Sequence, residues 1–141
     1  MLKKTFTILT AILFLSANIY AFGRQNIEIF DIDKNMVVKS IELTSEIQNE
    51  VKNYVKKISG MYVKVDALPD SGIIIRVPLN PPIMADNQWL SGYNINMVNE
   101  VFVIIPAQGK AFLLILDNEA RPLFFNFEGD VGKLLEIIEN S

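Results

Sequence analysis

Apolar positions crowd most densely between Val98 and Phe127, where three runs, VFVII, AFLLIL and PLFFNF, are separated by two polar breaks. Each run has the length and the β-branched and aromatic content of a strand. The breaks, Ala107 to Lys110 and Asp117 to Arg121, supply turn residues and are too short for a crossover helix, so the pattern predicts an antiparallel meander. Upstream, Asn26 to Ile32 alternates apolar with polar, Asp33-Lys34-Asn35 turns, and Met36 to Leu43 returns as a second strand, which predicts a hairpin. From Ser45 to Ile58 the period changes. Ile47, Val51, Tyr54, Val55 and Ile58 fall on one helical face opposite Glu50, Lys52, Asn53, Lys56 and Lys57. Ser45 and Gln48 have the spacing of a capping box, and Gly60 marks the end.

Two further strands, Met61 to Val65 and Gly72 to Val77, flank the turn sequence Leu68-Pro69-Asp70-Ser71-Gly72 and read as another hairpin. Pro78, Pro81 and Pro82, which lack an N–H to donate, are expected to stop the ladder, leaving an irregular stretch to Asn99. After the meander, Asp130 can cap a closing helix with Val131, Leu134, Leu135 and Ile138 on its buried face. The predicted fold class is α+β: a mostly antiparallel sheet, hairpins plus the C-terminal three-stranded meander, packed by two helices. This order of strand, strand, helix, strands, helix is similar to that of profilin-like and longin-like domains. The resemblance implies a binding or regulatory module.

The meander does not alternate as a sheet wet on one side would. Phe112, Leu114 and Leu116 oppose Ala111, Leu113 and Ile115, and Leu123, Phe125 and Phe127 oppose Phe124, with Asn126 the only polar member. Both faces therefore need cover, and two helices at ~10 Å spacing shield roughly one. Cover for the second face, to which Phe124 and Leu113 are assigned, is expected from the N-terminal hairpin and proline-rich loop folding across the back. The alternative is a protein partner or a homodimer docking on the apolar meander.

The N-terminus changes the picture of where this domain works. Lys3 and Lys4, the apolar run Ile8 to Leu15 and a polar tail ending in small residues have the succession of a secretory signal. Cleavage after Ala21 or after Gly23 fits; Ala21-Phe22-Gly23 places small residues at both recognition positions and favours the second. The expected organisation is a signal peptide over 1–23 and one α+β domain over 24–141, secreted or extracytoplasmic. The alternative is an uncleaved anchor, the only route by which this chain would meet a membrane.

Composition then narrows the chemistry. There is no cysteine and no histidine, which excludes disulfides, thiolate nucleophiles, Ser-His-Asp triads and zinc or haem sites built on those residues. Without Lys3 and Lys4 the chain carries 11 basic against 16 acidic residues, net −5, and no Lys/Arg stripe beyond Lys56-Lys57. That argues against nucleic acid. No motif implies a cofactor.

Three groups of residues are candidates for function. Asp31, Asp33, Asn35 and Glu42 match the first, third, fifth and twelfth positions of an EF-hand calcium loop, but Met36 stands where that loop needs glycine and the flanks read as strands. The competing reading is a polar hairpin tip. Trp89, the only tryptophan, with Leu90 and Tyr93 sits among Asn87, Gln88, Ser91, Gly92, Asn94 and Asn96, the composition of a binding surface; the favoured reading of Trp89 itself is a plug at one end of the sheet. Asp117 with Glu119, and Glu128 with Asp130, are the carboxylate pairs available for acid–base chemistry. Their positions in turns and a helix cap give local reasons for the same residues. The expected function is a non-enzymatic binding or accessory module at the cell envelope, with a carboxylate-dependent hydrolase acting on an envelope polymer as the alternative.

Overall fold

The computed structural model describes residues 26–63 and 68–141. The expected signal segment lies outside them. Seven antiparallel strands form one sheet in the order β2-β1-β4-β5-β6-β7-β3. They are β1 (Asn26–Asp31), β2 (Met36–Glu42), β3 (Ile58–Met61), β4 (Gly72–Met84), β5 (Met97–Pro106), β6 (Phe112–Leu116) and β7 (Pro122–Phe127). Helix α1 (Ser45–Lys56) follows β2, a single turn α2 (Gln88–Ser91) interrupts the β4–β5 connection, and α3 (Gly132–Glu139) follows β7. The α+β class, the N-terminal hairpin, the meander and both longer helices are as the sequence predicts.

The strand order corrects one pairing. β3 and β4 are not a hairpin: β3 sits at one edge against β7, and β4 lies near the opposite side between β1 and β5. Of the strand expected over Met61–Val65, residues 64–65 lie outside the described residues, and the described strand, Ile58–Met61, begins earlier, so Gly60 lies in β3 rather than ending α1. Gly72, at the start of β4, has φ +132°, and a Cβ there would run into the carbonyl oxygen of Ile105. The close approach of β4 to the end of β5 therefore requires glycine, and the Gly72 carbonyl, on its other side, accepts the Ile32 N–H at 3.0 Å.

The prolines also act differently from expectation. Pairing of β4 with β5 breaks after Pro78 opposite Glu100 and resumes at Ile83 opposite Val98 and Met84 opposite Met97. Chain between those points is looped out, because proline cannot donate to a ladder, and the resumed ribbon carries α2. Gln48 holds this excursion on the helix side. Its side-chain carbonyl accepts the Asn80 N–H and its amide donates to the Pro81 carbonyl, both at 2.9 Å, across the cis Asn80–Pro81 bond. The capping box expected from Ser45 and Gln48 is therefore absent; Thr44 is the cap, its hydroxyl accepting the Ile47 N–H at 3.2 Å.

On one face of the sheet, α1, α3 and the α2 loop bury a large apolar cluster. Ile47, Val51, Tyr54 and Val55 of α1 and Leu134 and Ile138 of α3 meet Ile27, Ile75, Val101, Val103, Leu113, Ile115 and Phe125 of the strands. Lys39 of β2 ties α3 down by donating to the carbonyls of Ile138 (2.7 Å) and Ser141 (3.2 Å), a cation at the negative end of a helix.

The opposite face is equally dry in its middle. Phe102, Ile104, Phe112 and Leu114 are buried there with Phe30, Ile32, Leu68 and Ile74. The N-terminal hairpin does not fold across this face but extends the sheet sideways, and the proline-rich loop lies on the helix side. Cover comes instead from the β3–β4 connection: Tyr62 stacks on Phe112 with ring centroids 3.8 Å apart, and Leu68 is buried beside it. Leu113, assigned by alternation to the same side as Phe124, points to the helices, whereas Phe124 packs with the second cluster. The register explains the split, since Leu113 pairs with Phe125 and Leu114 with Phe124.

One charged group interrupts this second face. Arg76 of β4 is 1% exposed and stands directly opposite Glu28 of β1 and Phe102 of β5. Its guanidinium donates to Glu28 Oε1 (2.8 Å), Glu100 Oε2 (3.1 Å) and the Asn26 carbonyl (3.0 Å), while Nε is buried without a hydrogen-bond partner among the described residues. A planar fork that engages two carboxylates at once is a geometry lysine cannot supply.

Candidate functional site

The β4–β5 excursion is built so that its apolar interior and its aromatic exterior are separate. Asn87 caps α2, its side-chain oxygen accepting the Trp89 N–H at 2.9 Å while its amide donates to the Ile58 carbonyl at 2.9 Å. That second bond ties the loop to the edge strand β3. Beneath the turn, Leu90 and Ile95 are buried in the helix-side cluster, and the Ile95 N–H closes the loop on the Leu90 carbonyl at 3.0 Å. The plug is therefore Leu90 rather than Trp89.

Trp89 remains 36% exposed and Tyr93 44%. Trp89 lies beside Gly60, where its ring is 3.9 Å from the position a Cβ would take. Tyr93 meets Phe125 edge-on at a centroid distance of 6.5 Å. Gly60 pairs with Asn126 and Met61 with Phe125, so the two aromatics sit on neighbouring rungs of the β3–β7 ladder, four residues apart in sequence. A further tie reaches this loop from the β6–β7 turn, where the Asn118 amide donates to the Asn94 carbonyl at 3.0 Å. The result is two partly exposed rings held on a fixed loop, with their inner edges against the sheet.

The calcium-loop residues are not brought together. Asp31, Asp33 and Asn35 form the β1–β2 tip: the Asp31 carboxylate accepts the Lys34 N–H at 3.0 Å, Asp33 accepts from the Ser71 hydroxyl (2.9 Å) and Gly72 N–H (3.3 Å), and Asn35 takes φ +54°. Glu42 lies at the other end of β2 opposite Asn26, about 20 Å away at ~3.3 Å per residue. Among the described residues no three His, Cys, Asp or Glu side chains converge as a metal site.

The carboxylate pairs have local employment. Asp117 Oδ1 accepts the backbone N–H groups of Glu119 and Arg121 at 2.9 Å each, and Oδ2 takes the Arg121 Nε at 2.8 Å. The Arg121 backbone N–H, with that of Glu119 and the guanidinium, holds the Asp117 carboxyl below the usual carboxylate range, the opposite of what a general acid needs. Glu119 shares the same arginine at 3.7 Å and is exposed. Asp130 is not the cap expected of it: Val131 holds that position without a side-chain cap bond, while Asp130 Oδ1 accepts the Gly132 N–H at 2.9 Å from just outside α3, and Glu128 and Asp130 are both exposed. Two shallow depressions of about 380 and 480 Å³ flank the start of α1, and neither is lined by any of these carboxylates or by the aromatic pair.

Sequence reasoning missed Arg76, Glu28 and Glu100 as a constellation. Their separation in sequence hides them, and an isolated arginine within the apolar run GIIIRV was the available signal. Comparison with known proteins adds no identity to this geometry: no family model, no characterised protein and no solved structure matches the chain.

Proposed function

We propose that the chain is an exported, non-enzymatic binding module of the cell envelope, with residues 24–141 as its mature domain and the α2 loop as its contact surface for a protein partner. The observation that carries this reading is the partial exposure of Trp89 and Tyr93 on a loop whose backbone is fixed by Asn87, Leu90 and Asn118. Rigid aromatics of this kind supply large contact area at low conformational-entropy cost. The competing hydrolase reading would need a carboxyl held protonated near neutral pH, and the Asp117 shift runs the other way.

The test is site-specific photo-crosslinking in producing cells, with a crosslinking amino acid at Trp89 or Tyr93 and, as control, at exposed Glu136. One discrete heavier adduct from positions 89 and 93, absent from 136, is the expected result. Adducts no different from the control would overturn the docking surface. Intact mass of exported material separately checks the processing, with a first residue of Phe22 or Arg24 expected; a full-length product in the cytoplasm would sink export.

A further inference from the structure

The end of the β4–β5 ribbon carries a second feature, independent of the aromatic pair. Where the ladder resumes, Ile83 pairs with Val98 and Met84 with Met97. Directly opposed residues share a face and successive residues alternate. The first pair is buried in the helix-side core, and the second is turned outward, with Met84 77% and Met97 49% exposed. The Ala85 N–H donates to the Asn96 carbonyl at 2.9 Å and closes the ribbon just beyond them, so their backbones are fixed in direct opposition.

Opposed residues hold their Cβ atoms about 4.5–5.5 Å apart. From that spacing two flexible thioether side chains can bring both sulfurs to one ion, since metal–sulfur bonds of ~2.3 Å require a sulfur separation of at most roughly 4.6 Å. Thioether sulfur is neutral and polarisable. It selects soft ions such as Cu(I) and its analogue Ag(I) over Ca²⁺ or Mg²⁺, which take oxygen ligands. In a chain without cysteine or histidine, methionine supplies all the soft-ligand chemistry. We propose that Met84 and Met97 form a two-thioether site for a soft monovalent cation, Cu(I) or its probe Ag(I), with the remaining coordination open to solvent. The site lies outside the apolar core, so loading it asks for no opening of the fold.

Titration of the intact protein with Ag(I), followed by native mass spectrometry and by the methyl resonances of its five methionines, tests the site. A 1:1 adduct is expected, with the methyl signals of Met84 and Met97 shifted and those of Met36 and Met61 unmoved. Met84→Leu or Met97→Leu keeps the exposed apolar surface but removes a sulfur, and each should weaken the adduct by about tenfold or more. Met36→Leu, at the distant β1–β2 tip, should leave it unchanged. No 1:1 adduct in the unsubstituted protein, or an adduct of undiminished affinity in the Met84→Leu, Met97→Leu double variant, overturns the proposal. Because leucine preserves the apolar contact area, partner crosslinking at Trp89 and silver binding succeed or fail separately.

Discussion

The two faces of the sheet are both dry at the centre, yet they are dried by different devices. The helix face is covered by regular elements: α1 and α3 each present a stripe at helical spacing, and the α2 loop adds Leu90 and Ile95. The other face is covered by an irregular connection, through Tyr62 and Leu68, and contains a buried guanidinium with two carboxylates. A periodic stripe can be supplied by many sequences. An irregular cover depends on a few particular contacts, and a buried ion cluster depends on every member being present.

The largest effects should test whether the faces are equally well packed. Phe102→Ala on the irregular face and Leu113→Ala on the helix face remove fully buried side chains, and each should cost about 2–5 kcal/mol in denaturant unfolding. If the irregular face is less tightly packed, Phe102→Ala will fall well below that range while Leu113→Ala stays within it. Arg76→Ala comes next, leaving Glu28 and Glu100, which keep some solvent contact, without their counter-charge, at a cost of about 2–3 kcal/mol. Combining Arg76→Met with Glu28→Gln and Glu100→Gln should recover most of the loss. A triple variant no more stable than Arg76→Ala would show that the arginine acts through packing rather than charge.

Smaller effects come from the individual covers. Tyr62→Ala removes the ring stacked on Phe112 and should cost roughly 2 kcal/mol from lost burial and ring contact together, while Thr44→Ala at the α1 cap should cost about 1 kcal/mol. Equal losses would erase the distinction between irregular and regular cover. Tyr54→Phe should have the smallest effect at neutral pH, neutral or slightly stabilising, because the Tyr54 hydroxyl is buried without a hydrogen-bond partner among the described residues. Burial, with the nearby charges of Glu50 and Asp130, raises the Tyr54 pKa above the ordinary tyrosine value of 10.0. The folded state then holds this proton where the unfolded chain releases it, so stability is full below that value and falls as pH rises beyond it. Urea midpoints from pH 9 to 11 should decline more steeply in the parent protein than in Tyr54→Phe; parallel curves would refute the linkage.

Much of the candidate surface was legible, because Trp89, Leu90 and Tyr93 stand out among amides in a loop bounded by prolines and strands. What could not be read was their division of labour. Leu90 rather than Trp89 is buried, since which side of a single helical turn faces the sheet is set by the Asn87 bond to β3, a contact between residues 29 apart. The opposed methionines were equally hidden: their pairing depends on the ladder resuming after three prolines, and local sequence argued that it would stop.

By itself the sequence determined the class of fold, the period of each long element and the demand for cover on both sides of the meander, because those follow from side-chain spacing along a locally regular backbone. Only the tertiary structure decided that β3 crosses to pair with β7 instead of returning beside β4, and that the connection between them, not the N-terminal hairpin, covers the second face. It also decided that Arg76 meets Glu28 and Glu100. Each is a contact between segments distant in sequence, selected by which arrangement buries the most apolar surface without stranding a charge, and no local window encodes that competition.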